Sequence, residues 1–202
     1  MDLQNYILLP GEEYQGRDLL IAKHRNTLSL SWKQAHISLQ QQNAFMLPPR
    51  VFFHFLHYLQ AERVYDGKGD RVSVEEKQAL QRGYTDEWLD GHFTEGQGRM
   101  YFERSHDIKQ SVLVAQLRSI YDSLESDRLH YQGINLPELI LSPTETGLPG
   151  RDIGRGKDYF LAPRLDGVVR WLSDGNQRGL VCRKHPDYVD PAVGVREARF
   201  RT

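Results

Sequence analysis

The chain predicts an α+β fold in which two main helices pack on small antiparallel sheets. Three observations carry this. The run LPPRVFFHFLHYLQAE, residues 47–62, puts apolar side chains at helical spacing, short β-forming runs crowd the stretch after residue 158, and helices lie early while strands come late. At 202 residues the chain suits one domain around one sizeable core. Its parts are N-terminal strands over 1–45, helices with connecting hairpins over 46–158, and C-terminal strands over 159–202.

In chain order, DLLIAKHRNTLSL (18–30) mixes β-formers with polar residues, and 31–39 continues in the same style, so one or two strands are expected there. Pro48 and Pro49 then stand where a helix starts, and Val51, Phe52, Phe55, Leu56 and Leu59 recur on one helical face, which marks this helix as core. YDGKGDRV (65–72) has the Asp-Gly and Gly-Asp chemistry of a surface turn or hairpin. Val74 to Gln81 reads as a short helix ended by Gly83. After TDEWLDGHF and the turn EGQG, RMYFERSHD is strand-like. Val112 to Leu129 shows helical spacing and predicts the second long helix, with INLPELILS a shorter one. YFLAPR, GVVRWLS, GLVCRK and VGVREARF close the chain as one small antiparallel sheet.

Composition narrows the function classes. A hydrophobic fraction of 39% with 26% charged residues belongs to a globular chain, and a net charge of −1 gives nucleic acid no electrostatic hold. The solitary Cys182 excludes an internal disulfide and a cysteine-rich zinc site. No apolar run reaches the roughly 20 residues of a membrane span, and residues 1–11 lack a signal pattern. Display on a virion or cell surface would therefore depend on a partner.

Isolated site signals fail one by one. A calcium loop over 66–77 would need an oxygen ligand, a glycine and a glutamate where Lys68, Arg71 and Lys77 stand. His54 and His57 lie one helical turn apart with no third ligand in evidence, so they read as packing or surface histidines. GRDIGRG (150–156) lacks the strand-turn-helix context of a phosphate loop. Cys182 and His185, three apart on a strand, point to opposite faces, and Cys182 reads as a buried structural thiol. No catalytic constellation, metal site or cofactor is assigned, and the expectation is a protein that is not an enzyme.

The C-terminal segment is more informative. Leu180 and Cys182 alternate with Val181 and Arg183, and Leu172 and Asp174 alternate with Trp171, Ser173 and Gly175, as in half-buried strands. Asp174, Asn176, Arg183, Lys184, His185, Asp187 and Tyr188 together offer donors, acceptors and an aromatic ring. Two readings fit that chemistry, a ligand-binding face and a solvated sheet face.

The frame of APR (162–164), V-x-R-W (168–171), L-x-C (180–182), Pro186 and GVR (194–196) resembles the variable proteins of diversity-generating retroelements. The similarity extends more loosely over FFHFLHYL, VYDGKGDRV, EWLDGHF and GLPGRDIGRGKDYFLAPR. The resemblance implies a C-type lectin-type fold whose C-terminal part keeps a constant frame and changes the residues between. Carried onto this chain, the candidate variable, ligand-facing positions are Leu172, Asp174, Asn176, Gly179, Val181, Arg183, His185, Asp187, Tyr188 and Asp190. Mutagenesis in the family acts on adenines, commonly in AAC codons, so Trp171, Gln177 and Lys184 fall outside the mutagenised set. The chain departs from the frame at Arg178, where a small residue is usual, and at the less polar Val189 and Pro191. The implied partner is a protein or cell-surface ligand. Two alternatives stay open: an enzyme of the formylglycine-generating, sulfatase-modifying kind, which shares the broad fold, and an inert virion subunit.

Overall fold

The structure, a computed structural model, describes residues 1–11, 16–26, 29–82, 86–96, 99–104, 118–119, 133–150, 152–161, 163–173 and 178–201. Its strands are β1 (Tyr6–Leu9), β2 (Leu19–Ala22), β3 (Phe45–Met46), β4 (Tyr65–Asp66), β5 (Glu87–Gly96), β6 (Arg99–Glu103), β7 (Arg118–Ser119), β8 (Tyr159–Leu161), β9 (Val168–Ser173), β10 (Arg178–Lys184) and β11 (Glu197–Phe200). The helices are α1 (Trp32–Gln41), α2 (Pro49–Tyr58), α3 (Val74–Arg82) and α4 (Leu136–Leu141). The class is α+β.

Two sheets organise these strands. One has the order β3-β11-β2-β1-β4 and the other β7-β6-β5-β9-β10-β8. In the first, Ile7 faces Ile21 across β1 and β2, and Ala198 faces Ile21 across β11 and β2. The C-terminal runs therefore do not form one antiparallel sheet. β11 crosses to the N-terminal strands, and β8 runs parallel to β10, pairing Tyr159 with Gly179 and Leu161 with Val181. Only β9 and β10 form the expected antiparallel pair, with Leu180 opposite Trp171.

α2 forms as its spacing predicts. Pro48 and Pro49 open it, and Phe52, Phe53 and Phe55 are fully buried. Each such burial contributes on the order of 1.5–3 kcal/mol. Trp171 of β9 packs on this helix, its ring 5.3 Å from that of Phe52 and 6.2 Å from that of Phe53. The main core then continues through Ile7, Leu19 and Ile21 of one sheet and Leu89, Phe93, Val169, Leu180 and Cys182 of the other.

Residues 31–39 are helical rather than extended. Ser31 accepts from the Gln34 N–H while the Gln34 side chain accepts from the Ser31 N–H, a capping box that satisfies two free donors at the helix start. Trp32, Ala35, His36 and Leu39 then line one buried face, an i, i+3, i+4, i+7 pattern that overrides the β-like composition. α1 covers a second apolar cluster formed by Trp88, Val168, Val193 and Val195. The helix expected over Val112–Leu129 lies outside the described residues except for Arg118 and Ser119, which pair with β6 as β7. α3 and α4 form where expected, and Gly83 falls outside the described residues. In the 65–72 turn Asp66 Oδ1 accepts from the Lys68 and Asp70 N–H groups, so the carboxylate caps the hairpin.

GVR at 194–196 is where the two sheets are joined. The Gly194 carbonyl accepts from Trp88 N–H of β5, Val195 pairs with Asn26, and a Cβ at Gly194 would sit 2.5 Å from the Asn26 oxygen. Arg196 is buried at 4% exposure against Glu87 at 0%. Its Nη2 lies 2.5 Å from Glu87 Oε1, and Nη1 donates to the Ala22 and Lys23 carbonyls. One guanidinium thus ties β5 to the end of β2.

Candidate functional site

Both faces of the β9–β10 pair are buried along its middle, and the pleat decides which residue enters which cluster. Val169, Trp171, Leu180 and Cys182 enter the main core. The fully buried Cys182 thiol has its pKa pushed far up by desolvation, which leaves it unfit as a nucleophile or thiolate ligand. On the other side the expected outward set divides. Arg183 is half-buried, and His185, Asp187 and Tyr188 are exposed in the turn beyond β10. Leu172 is half-buried at the end of β9, and Asp174 and Asn176 lie outside the described residues.

Three expected positions do not face outward freely. Gly179 is buried in the pairing of β10 with β8, and a Cβ there would stand 1.9 Å from the Tyr159 carbonyl oxygen. No side chain fits without breaking that pairing. Val181 is 7% exposed, opposite Arg170 on β9 and Leu161 on β8. Asp190 is anchored: its Oδ2 lies 2.9 Å from Arg170 Nη1 and its Oδ1 accepts from the Ala192 N–H. Arg170 also pairs with Asp86, whose Oδ1 accepts from the Ser173 N–H. This network pins the 190–192 return to β9.

Beside the remaining candidates stands a charged cluster that the sequence reading did not contain. Asp166 occupies a turn at φ 57°, a left-handed conformation that Asp tolerates better than most side chains. Its Oδ1 lies 2.8 Å from His92 Nε2 on β5, and its Oδ2 lies 2.9 Å from His185 Nε2. The hydrogen bond from His92 foremost, with the charges of His185 and Lys33 adding, holds the Asp166 carboxyl below its ordinary range. His92 Nδ1 faces Glu103 at 3.9 Å. On the far side of His185, Asp187 Oδ2 meets Lys33 Nζ of α1 at 2.8 Å. Lys184 Nζ sits 4.3 Å from the centre of the Tyr188 ring.

The face is therefore supported from β5, the 164–167 turn, β10 and α1 together. In sequence only the Asp-Gly pair at 166–167 marks a turn, and nothing in single-chain spacing brings residues 33, 92, 166 and 185 to one place. Cavities of about 430 Å³ and 350 Å³ lie elsewhere, around Tyr6, His24, Arg25 and Glu197 and around Lys23, Glu76 and Arg196. Neither is lined by any of the C-terminal candidates. Among the described residues no three His, Cys, Asp or Glu side chains are grouped to hold a metal ion, and no helix is long and apolar enough to cross a membrane.

Comparison with protein-family models, curated proteins and solved structures finds no match for this chain.

Proposed function

We propose that the chain is a ligand-binding variable protein of the diversity-generating retroelement kind, built on a C-type lectin-like scaffold and catalysing no reaction. Its ligand is a protein or cell-surface molecule, met by Arg183, His185, Asp187 and Tyr188 at the turn after β10; Leu172 lies toward the other end of the strand pair, and Asp174 and Asn176 lie outside the described residues. The observation that supports this most is that His185, Asp187 and Tyr188 are exposed in the turn after β10, while both faces of β9 and β10 are buried along their middle. Their pairing rests on backbone hydrogen bonds and on an inward row that is 0–3% exposed, while the residues at the open end contribute nothing to that core.

Gly179, Val181 and Asp190 are assigned to the fixed frame, for the backbone contact, the burial and the ion pair described above. Arg183, His185, Asp187 and Tyr188 gather around the turn that follows β10 and offer groups that make adaptable contacts, whereas Leu172, opposite Gly179, lies toward the other end of the strand pair.

Two measurements test the reading. Joint replacement of Arg183, His185, Asp187 and Tyr188 is expected to leave Tm within a few degrees, since surface changes are usually within about 0.5 kcal/mol each. A collapse of stability would contradict a scaffold with an exchangeable surface. At the gene level, a near-copy of the DNA encoding 168–190 should lie close by, beside a reverse transcriptase gene, with differences confined to adenines of the copy. A coding region without such a repeat would remove the variable-protein reading.

A further inference from the structure

His185 holds the turn that follows β10 through both ring nitrogens. Its Nδ1 accepts from the Asp187 N–H at 3.2 Å, while its Nε2 stands 2.9 Å from Asp166 Oδ2. A nitrogen that accepts carries no proton, so the neutral ring places its hydrogen on Nε2 and donates to Asp166. The turn is completed by the Tyr188 N–H donating to the His185 carbonyl at 2.9 Å, and the Lys33 N–H of α1 reaches the Pro186 carbonyl at 3.2 Å.

Uptake of one proton changes this arrangement at a single atom. Nδ1 becomes a donor, and the Asp187 N–H loses its acceptor. The Asp187 carboxylate is 3.7 Å from Nδ1, and the same Oδ2 is held by Lys33 Nζ at 2.8 Å. The charged ring therefore competes with Lys33 for that oxygen. Among the described residues the charges around His185 are Asp166 from the 164–167 turn, Asp187 from its own segment, Lys33 from α1 through Asp187, and His92 with Glu103 through Asp166, while the adjacent Lys184 lies over the Tyr188 ring.

We propose that His185 is a protonation latch: the neutral ring holds the Pro186–Tyr188 turn in the form seen here, and the charged ring releases the Asp187 N–H, draws in its carboxylate and repositions Tyr188. The consequence for ligand binding rests on the function proposed above, since Tyr188 is part of that face, and contact through it would then change when the ring takes up its proton.

The latch is read without a ligand, by following backbone amide and histidine ring NMR signals of the whole chain as pH is lowered. The Asp187 and Tyr188 amides are expected to move with the same midpoint as the His185 ring. His185→Gln should abolish the movement while keeping the dispersed spectrum of the folded chain, and His92→Gln should retain it. Asp166→Asn, which removes the charge facing Nε2, should shift the transition to lower pH. Amides that stay still while the ring titrates, or that move equally in His185→Gln, would overturn the proposal. Such a failure leaves the gene-level test of the binding reading untouched, and a missing repeat would leave the latch standing.

Discussion

Replacing Arg196 with alanine should be among the most damaging single changes in the molecule. The guanidinium is 4% exposed and faces a Glu87 carboxylate that is 0% exposed, with further donation to two backbone carbonyls at the end of β2. Ala would leave the Glu87 charge and those carbonyls without this partner. Breaking a buried pair from one side costs about 3–5 kcal/mol. For a chain of this length that is a fall in Tm of about 6–20 °C, at roughly 2–4 °C per kcal/mol. Urea unfolding at neutral pH gives the free energy directly. Arg196→Lys should lose less but still measurably, because one ammonium cannot span the carboxylate and both carbonyls. Adding Glu87→Gln to Arg196→Ala should recover part of the loss, since the buried charge is gone. If Arg196→Ala cost under about 1 kcal/mol, the claim that this side chain joins the sheets would be wrong.

Gly179→Ala should cost about 2 kcal/mol or more in thermal unfolding, because the new Cβ meets the Tyr159 backbone at 1.9 Å; a neutral result would return Gly179 to the exchangeable set. Cys182 should resist thiol reagents at pH 8 in the folded chain and react fully in urea, and modification of the native protein would contradict its burial. Asp166 supplies a pH test whose sign follows from its lowered pKa. Its carboxylate contributes stability above the ordinary value of 3.8, and loses it as pH falls through the lower folded value. Wild type should therefore exceed Asp166→Asn modestly at pH 5–6, given the half-exposed side chain, with the gap closing below about pH 4. A gap that widens on acidification would reverse the assignment.

Local pattern carried α2, α3, α4, the Asp66 turn and the inward placing of Leu180 and Cys182, because helical or strand periodicity and turn chemistry act over a few neighbouring residues. α1 reads as strand in sequence, because the β-like composition of 31–39 masks the Ser31–Gln34 cap and the Trp32, Ala35, Leu39 spacing that mark the helix. What no local signal holds is the partner of a strand. β11 could not be separated from β8, β9 and β10 by its own residues, since its place beside β2 is set by Ala198 packing opposite Ile21, far along the chain.

By itself, then, the sequence determined the α+β class, the aromatic helix at the centre and the alternation that leaves a polar margin beyond β10. Tertiary structure alone decided which of the candidate positions face outward. Gly179 and Asp190 resemble exchangeable positions until the Tyr159 carbonyl and Arg170 arrive beside them. Asp166 is an ordinary turn residue until His92 and His185 converge on its two oxygens. In each case the deciding contact is between groups at least 19 residues apart, and only the folded chain brings them within hydrogen-bonding distance.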